Sequence, residues 1–556
     1  MRWRGALLAA GTALLLLAGC SEIPTSGPVR DGATQVPDEP AIVFLPNPPA
    51  NGAKPADIVS GFLQAGAGSD FSVARQYLTK DFAADWNPGA GVIVHDKPLK
   101  VVQQGAQDVQ VDVPTVATVK SNGAYTPSAV AQTLGFRLQQ VSGQWRISDA
   151  PPGIVLAQTV FERTYKPQAL DFFDPAFRRL VPDVRWFAIR ANSARTVARA
   201  LLAGPAGPLT GGIVASAFPD GTKLESAGTA SDGTVTIAVT VPGRQPSKQV
   251  TDRMQQQLLR SLQLQTVGSL RLLVNGEVAP TAPLLQVQGA VQAPVVYADG
   301  RFGTAQSTGS VSEDSVLGKG VASQKPTAVT VSARQRLAAV RTRAGQVAVV
   351  TPGSARVLDP RTGLSAPTLD QRGWTYSVPT EDPNGLIAIS VSPTRQIVDL
   401  GATTDLGGTR VTAIEASPDG TRMLVLGQRA NGDQTAYVAG IVRDGRGAPT
   451  GLTTDVYPLG VPSGTAIDAT WVDDADVAIL ARAADGTDSV TTQQLGGLTT
   501  PAGRLSNAES IVGTSSKSDL RARDNTGNVL EPSASVTVWQ NLFPNTVDVS
   551  VLAVQR

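Results

Sequence analysis

The 556-residue sequence predicts a multidomain chain: an α+β domain, then an α/β domain, then an all-β domain of repeated units. Three observations carry this. Apolar helical stripes precede alternating strand patterns up to residue 157. A long amphipathic helix is mixed with short strands up to residue 285, and from 286 onward apolar runs broken by Gly, Asp and Pro recur without long helices. The 55 glycines and 39 prolines, with only 17% charged residues, suit many short strands and turns. The 47 Lys plus Arg nearly balance the 46 Asp plus Glu, so charge argues for neither nucleic acid nor an anionic surface as principal partner.

At the N-terminus, Arg2 and Arg4 precede an apolar run from Gly5 to Ala18, and the small pair Ala18-Gly19 leads to Cys20, the single cysteine. This order predicts a lipoprotein signal peptide over 1–19, with Leu17, Ala18 and Gly19 as lipobox. Cys20 is then the lipid attachment site, an N-palmitoyl and S-diacylglycerol cysteine. The apolar run is too short to span a bilayer comfortably, whereas several acyl chains on one cysteine anchor stably. Residues 20–40, rich in Pro and Gly, predict a flexible tether. With the one thiol spent on attachment no disulfide framework is expected, so ordinary cores must hold the domains.

The first domain is expected over 41–157. A helix at 54–65 carries Ile58, Val59, Phe62 and Leu63, and a second at 71–79 carries Phe71, Ala74 and Leu78. Strands follow at 99–104, 109–113, 134–138 and 145–147. Helices followed by a meander resemble the cone-shaped fold of the nuclear-transport-factor-two (NTF2-like) type. His95, the only histidine, stands next to Asp96, but neighbours in an extended segment point opposite ways. A loop or edge role is the better reading than a base. Residues 158–182 hold Phe161, Tyr165, Phe172, Phe173 and Phe177, too many aromatics for a free linker. They predict a packed interdomain segment lying across a domain face, with Phe172 and Phe173 at least partly buried.

In the second domain, 183–285, Asn192 and Ser193 cap a helix carrying Val197, Leu201 and Leu202, which stops at Gly204-Pro205. A turn at 218–224, a strand at 235–239, an amphipathic helix at 246–264 and a strand at 270–274 complete it. In the third, 286–556, strand-turn-strand runs begin near 327, 373, 411, 467 and 509, at separations of 46, 38, 56 and 42 residues that bracket a four-stranded blade. The sharpest unit, Ala413 to Leu426, turns at Asp419-Gly420. A β-propeller is the expected fold, and a two-layer sandwich is the alternative if the 56-residue separation is not an insertion.

Specific passages add a resemblance. Leu17 to Val29, Ile58 to Ala65, Trp145 to Ile154, and Phe172-Phe173-Asp174-Pro175 leading to Leu180-Val181-Pro182-Asp183 resemble the actinobacterial lipoprotein family called LpqB. Ala194 to Pro205, Pro219-Asp220-Gly221-Thr222 and Val274-Asn275-Gly276 resemble the sporulation and germination module GerMN. The resemblance implies an extracytoplasmic, lipid-anchored protein of the cell membrane. It further implies a regulator that binds the extracytoplasmic domain of the sensor histidine kinase of the Mtr two-component system, affecting cell-wall homeostasis and division. Neither an enzyme nor a cofactor or metal is expected, since no nucleophile elbow, Ser-His-Asp order or ligand cluster stands out. Rival readings are a structural or glycan-binding envelope lipoprotein, with cell-wall polymer as partner, and a carboxylate-dependent glycan hydrolase. Membrane proximity favours 41–285 as the kinase-contacting part.

Overall fold

The computed structural model describes residues 46–556 apart from 69, 129, 190–192, 265, 283–292, 333, 391–393, 405, 409, 514–515, 534–537 and 544–547. Cys20, the lipobox, the tether, the start expected at 41 and the boundary at 285/286 lie outside these residues, as does the cap at Asn192. No described helix is long and apolar enough to cross a membrane.

Pro55 opens the helix Pro55–Ala65 with Asp57 in its first turn, and its apolar stripe is buried as expected. The expected helix at 71–79 is instead two short helices, Ser72–Gln76 and Lys80–Asp85. The break follows from Thr79, which is extended and accepts a hydrogen bond from the Phe82 amide, so it caps the second helix rather than continuing the first. Lys100–Gln103, Asp108–Val113, Gln132–Val141 and Gln144–Asp149 form one antiparallel sheet. Val109, Val111 and Val113 alternate inward in it. A second sheet places Gly91–His95 between Thr115–Lys120 and Ile154–Ala157, the latter parallel to it.

The reading of 158–182 as an interdomain segment requires correction. After the helix Gln158–Thr164, Tyr165–Phe173 pairs along its whole length with Leu180–Ala188, so the boundary at 183 falls inside a strand. Each strand satisfies the other's backbone groups, and neither is free to act as a connector. Phe172 and Phe173 are buried, in a core shared with Val197, Leu201, Ile237 and Leu258. The hairpin therefore belongs to the second domain. There Val235–Thr240 and Leu270–Val274 run parallel, joined through the crossover helix Lys248–Ser261.

Among the described residues the third domain comprises six sheets. Blade 2 is built from strands within 326–359 with Val554–Gln555 paired parallel to Pro326–Ser332, blade 3 from strands within 368–399, blade 4 within 410–458, blade 5 within 465–506 and blade 6 within 508–541. Blade 1 joins Val295–Ala298, Arg301–Ala305 and Val311–Glu313 to Val549–Leu552, which arrives from the far end of the chain as its innermost strand. The innermost strand of every blade touches those of both neighbours, which closes the ring and rules out a sandwich. The long separation after 411 arises from two ten-residue strands in blade 4, Gln434–Arg443 and Pro449–Pro458.

Candidate functional site: the junction of three domains

The hairpin of the second domain ends in a tip at 174–179 whose shape is set by one carboxylate. Asp174 accepts hydrogen bonds from the amides of Arg178 at 2.6 Å, Arg179 at 2.8 Å and Ala176 at 3.2 Å. Phe177 takes a left-handed backbone and lies beneath the Arg253 guanidinium, 4.2 Å from its ring centre. So held, the tip reaches the propeller. Arg179 donates to the Pro418 carbonyl at 3.3 Å and to Gln371 Oε1 at 3.2 Å, and Asp174 faces Arg372 at 3.8 Å.

The residues it meets lie in the turns after the innermost strands of blades 3 and 4. Asp419 ties its turn by accepting from the Thr421 amide at 2.8 Å and from Ser417 Oγ. Gly420 sits at φ +75, where a Cβ would come within 3.1 Å of the Gln371 amide. Behind the turn, the fully buried Arg422 pairs with Asp419, donates to the Asp474 carbonyl at 2.6 Å and lies 5.0 Å from the Trp471 ring centre. Although burial raises the Asp419 carboxyl, Arg422 and Thr421 hold it below the ordinary range. Burial and the neighbouring Asp419 push Asp474 the other way. In blade 3, Asp370 binds Arg443 at 2.5 Å and accepts from Tyr376 Oη at 3.0 Å. Burial and that carboxylate push the Tyr376 phenol well up.

Nearer the axis, Glu415 pairs with Arg556 and accepts from the Trp471 amide at 2.9 Å and Thr470 Oγ1 at 3.0 Å. On the adjoining strand Asp468 has its carboxyl pushed up to about 7 by burial. It is partly buried, and among the described residues it accepts hydrogen bonds from the Ile511 and Ala469 amides.

The other end of the hairpin ties in the first domain. Asp183 and Arg185 form a fully buried bidentate pair at 2.8 and 2.6 Å. Arg185 also donates to the Asn122 carbonyl of the first domain at 2.9 Å, and the Trp186 amide donates to Gly123. The Trp186 indole donates to the Gly496 carbonyl of the propeller at 2.9 Å, so residues 183–186 touch all three domains. Leu498 of the propeller packs on the core of the first domain beside it.

Of the residues weighed from the sequence, His95 donates from Nδ1 to the Lys97 carbonyl at 2.7 Å and takes no part in the junction. Among the described residues no group of His, Cys, Asp or Glu has the arrangement to hold a metal ion. Most charged side chains of the junction are engaged with one another or with backbone groups, while Arg422 Nε and Nη1 and one Asp474 carboxylate oxygen are buried without a hydrogen-bond partner among the described residues. Such an arrangement holds domains in register, and a nucleophile set beside an oriented base is not part of it.

The class is thus a three-domain protein in which two mixed domains dock on a β-propeller. Three family models match it in order: the lipoprotein LpqB N-terminal domain over residues 48–162, the sporulation and spore germination domain over 166–279, and the lipoprotein LpqB beta-propeller domain over 304–550. The chain belongs to the LpqB lipoprotein family. It is 37% identical to lipoprotein LpqB of Cutibacterium acnes over 306 residues, an alignment covering 53% of this chain and half of that relative. It is 27% identical to lipoprotein LpqB of Streptomyces coelicolor over 551 residues, 87% of both chains. A solved structure of TolB from Acinetobacter baumannii aligns at 16% identity over 48% of this chain and 66% of that one, with a TM-score of 0.33, too low to carry any argument.

Proposed function

We propose that this protein is anchored through Cys20 on the extracytoplasmic face of the cell membrane and acts by binding. Its partner in this reading is the extracytoplasmic domain of the sensor histidine kinase of the Mtr two-component system, with cell-wall homeostasis and division as the output. Membership in a family of lipoproteins supports the location, and the partner is the one that the family resemblance implies. The structural observation that carries binding over turnover is the junction at Asp183, Arg185 and Trp186, which unites three domains into one presenting body.

That junction also dictates the test. A fragment over 41–285 would bare Trp186 and Arg179, whose partners lie in the propeller, so contact is best mapped in the full chain. Photo-crosslinkers at the exposed Lys97 and Arg244 are expected to capture the kinase in intact cells. Capture of cell-wall polymer alone, or release of sugars from peptidoglycan by purified protein, would overturn the reading. Cys20→Ala is expected to move the protein out of the membrane fraction or to block its processing. Recovery in that fraction at unchanged mobility would refute the anchor.

A further inference from the structure

Where the hairpin tip of the second domain meets the propeller, a polar crevice opens between Asp174, Gly212, Ile213, Arg372, Gly420 and Arg443. It has room for about one water-sized particle. Most of the charge around it is matched. Asp419, which also lines it, pairs with Arg422, and Arg443 pairs with Asp370. Asp174 accepts the amides of Ala176, Arg178 and Arg179.

Arg372 is the exception. Its side chain is 23% exposed, yet among the described residues the guanidinium makes no hydrogen bond, and its counter-charge, Asp174 Oδ2, stands 3.8 Å from Nη2. Asp174 is itself a wall of the crevice, which places the charged end of Arg372 there. Burial lowers the hold of Arg372 on its proton, and the guanidiniums of Arg443 and Arg178 lower it further against the pull of Asp174 and Asp370. A cation so placed is stabilised by an anion brought into contact with it. A separate segment of the wall presents a similar need. Ile213 is 3% exposed, and neither its amide nor that of Gly212 donates to a described acceptor. Buried amides are almost always paired.

We propose that this crevice holds one chloride ion, which accepts from the Arg372 guanidinium and the Ile213 amide and clamps the second domain to the propeller. Size and charge select it. Donors from two segments call for an acceptor, and like-charge crowding at Arg372 favours an anion over water. Phosphate and carboxylate groups need more than the space of one water. The site is independent of the kinase reading and stands or falls without it.

The test uses the chain from Ser21 to Arg556, which retains every described residue. Its thermal midpoint is followed as sodium gluconate is replaced by sodium chloride at constant ionic strength. The midpoint is expected to rise and saturate with chloride. Arg372→Gln removes the charge and should weaken that response by about tenfold or more, the weight of a hydrogen bond to a charged group. In crystals grown in gluconate and soaked in sodium bromide, an anomalous peak is expected within hydrogen-bond distance of Arg372. The proposal is overturned if the exchange leaves the parent midpoint unmoved, if Arg372→Gln responds as the parent does, or if bromide leaves only water in the crevice. Should Arg372→Gln not fold, the bromide position in the parent decides.

Discussion

Asp183 and Arg185 stand two positions apart on one strand, so their side chains share a face, and that face is buried. Removing one partner leaves the other charged and desolvated. Arg185→Ala should cost about 3–5 kcal/mol in denaturant unfolding, and Arg185→Lys should rescue little, because an ammonium lacks the planar fork that binds both Asp183 oxygens. The spacing was visible in the sequence. What the pair meets was not, since Asn122 and Gly204 lie far away along the chain. Asp171, on the hairpin's first strand, has its carboxyl pushed up to about 6 by burial, with Arg260 drawing it partly back. Between about pH 4 and 6 the native chain keeps a proton that the unfolded chain has released, so stability falls as pH rises through that window and levels off above it. Asp171→Asn should therefore match the parent near pH 4 and exceed it by up to about 3 kcal/mol at pH 8. Urea midpoints at the two pH values measure the difference, and a gain at pH 4 as large as at pH 8 would contradict it.

Blade 1 depends on a strand supplied from the far end of the chain. Val551 is buried there among Phe302, Val329 and Val340. Val551→Asp places an unpaired carboxylate in that core and should destabilise the ring by more than about 3 kcal/mol. Protease should then cut first between the blade 1 strands, near 299–310, and equal resistance of variant and parent would show the closure to be dispensable. Five strand-rich runs were legible in the sequence, three of them as strand, tight turn and strand, most sharply Ala413 to Leu426 around Asp419-Gly420, although the number of blades was not. Blade 1 was not among them, because Val295–Ala298 and Val549–Leu552 are one sheet in space and widely separated in sequence. The aromatic density of 158–182 was read correctly as packing and incorrectly as a connector. Composition reports burial, and only backbone pairing distinguishes a hairpin from a strap.

Pro46–Arg556 forms one compact unit, although three family models divide it. Few polar contacts join the parts, and they are long-range ones such as Trp186 to Gly496 and Arg179 to Pro418. If they couple the domains, the parent should unfold in a single calorimetric transition. Arg179→Ala combined with Trp186→Phe should separate it into at least two; one unbroken transition in the double variant would show that apolar packing alone couples the parts. The closing strand also sets an order in time. Both mixed domains have their whole sequence available once residue 279 has left the ribosome, whereas the first blade waits for Val549–Leu552 while its other strands are already exposed. For the synthesis of some 250 residues, at about 5–20 per second, the unpaired edge of Val295–Ala298 stands open. The interval in which this chain most needs a chaperone is therefore late in its synthesis, and a ribosome stalled shortly before residue 549 releases a propeller that cannot shut.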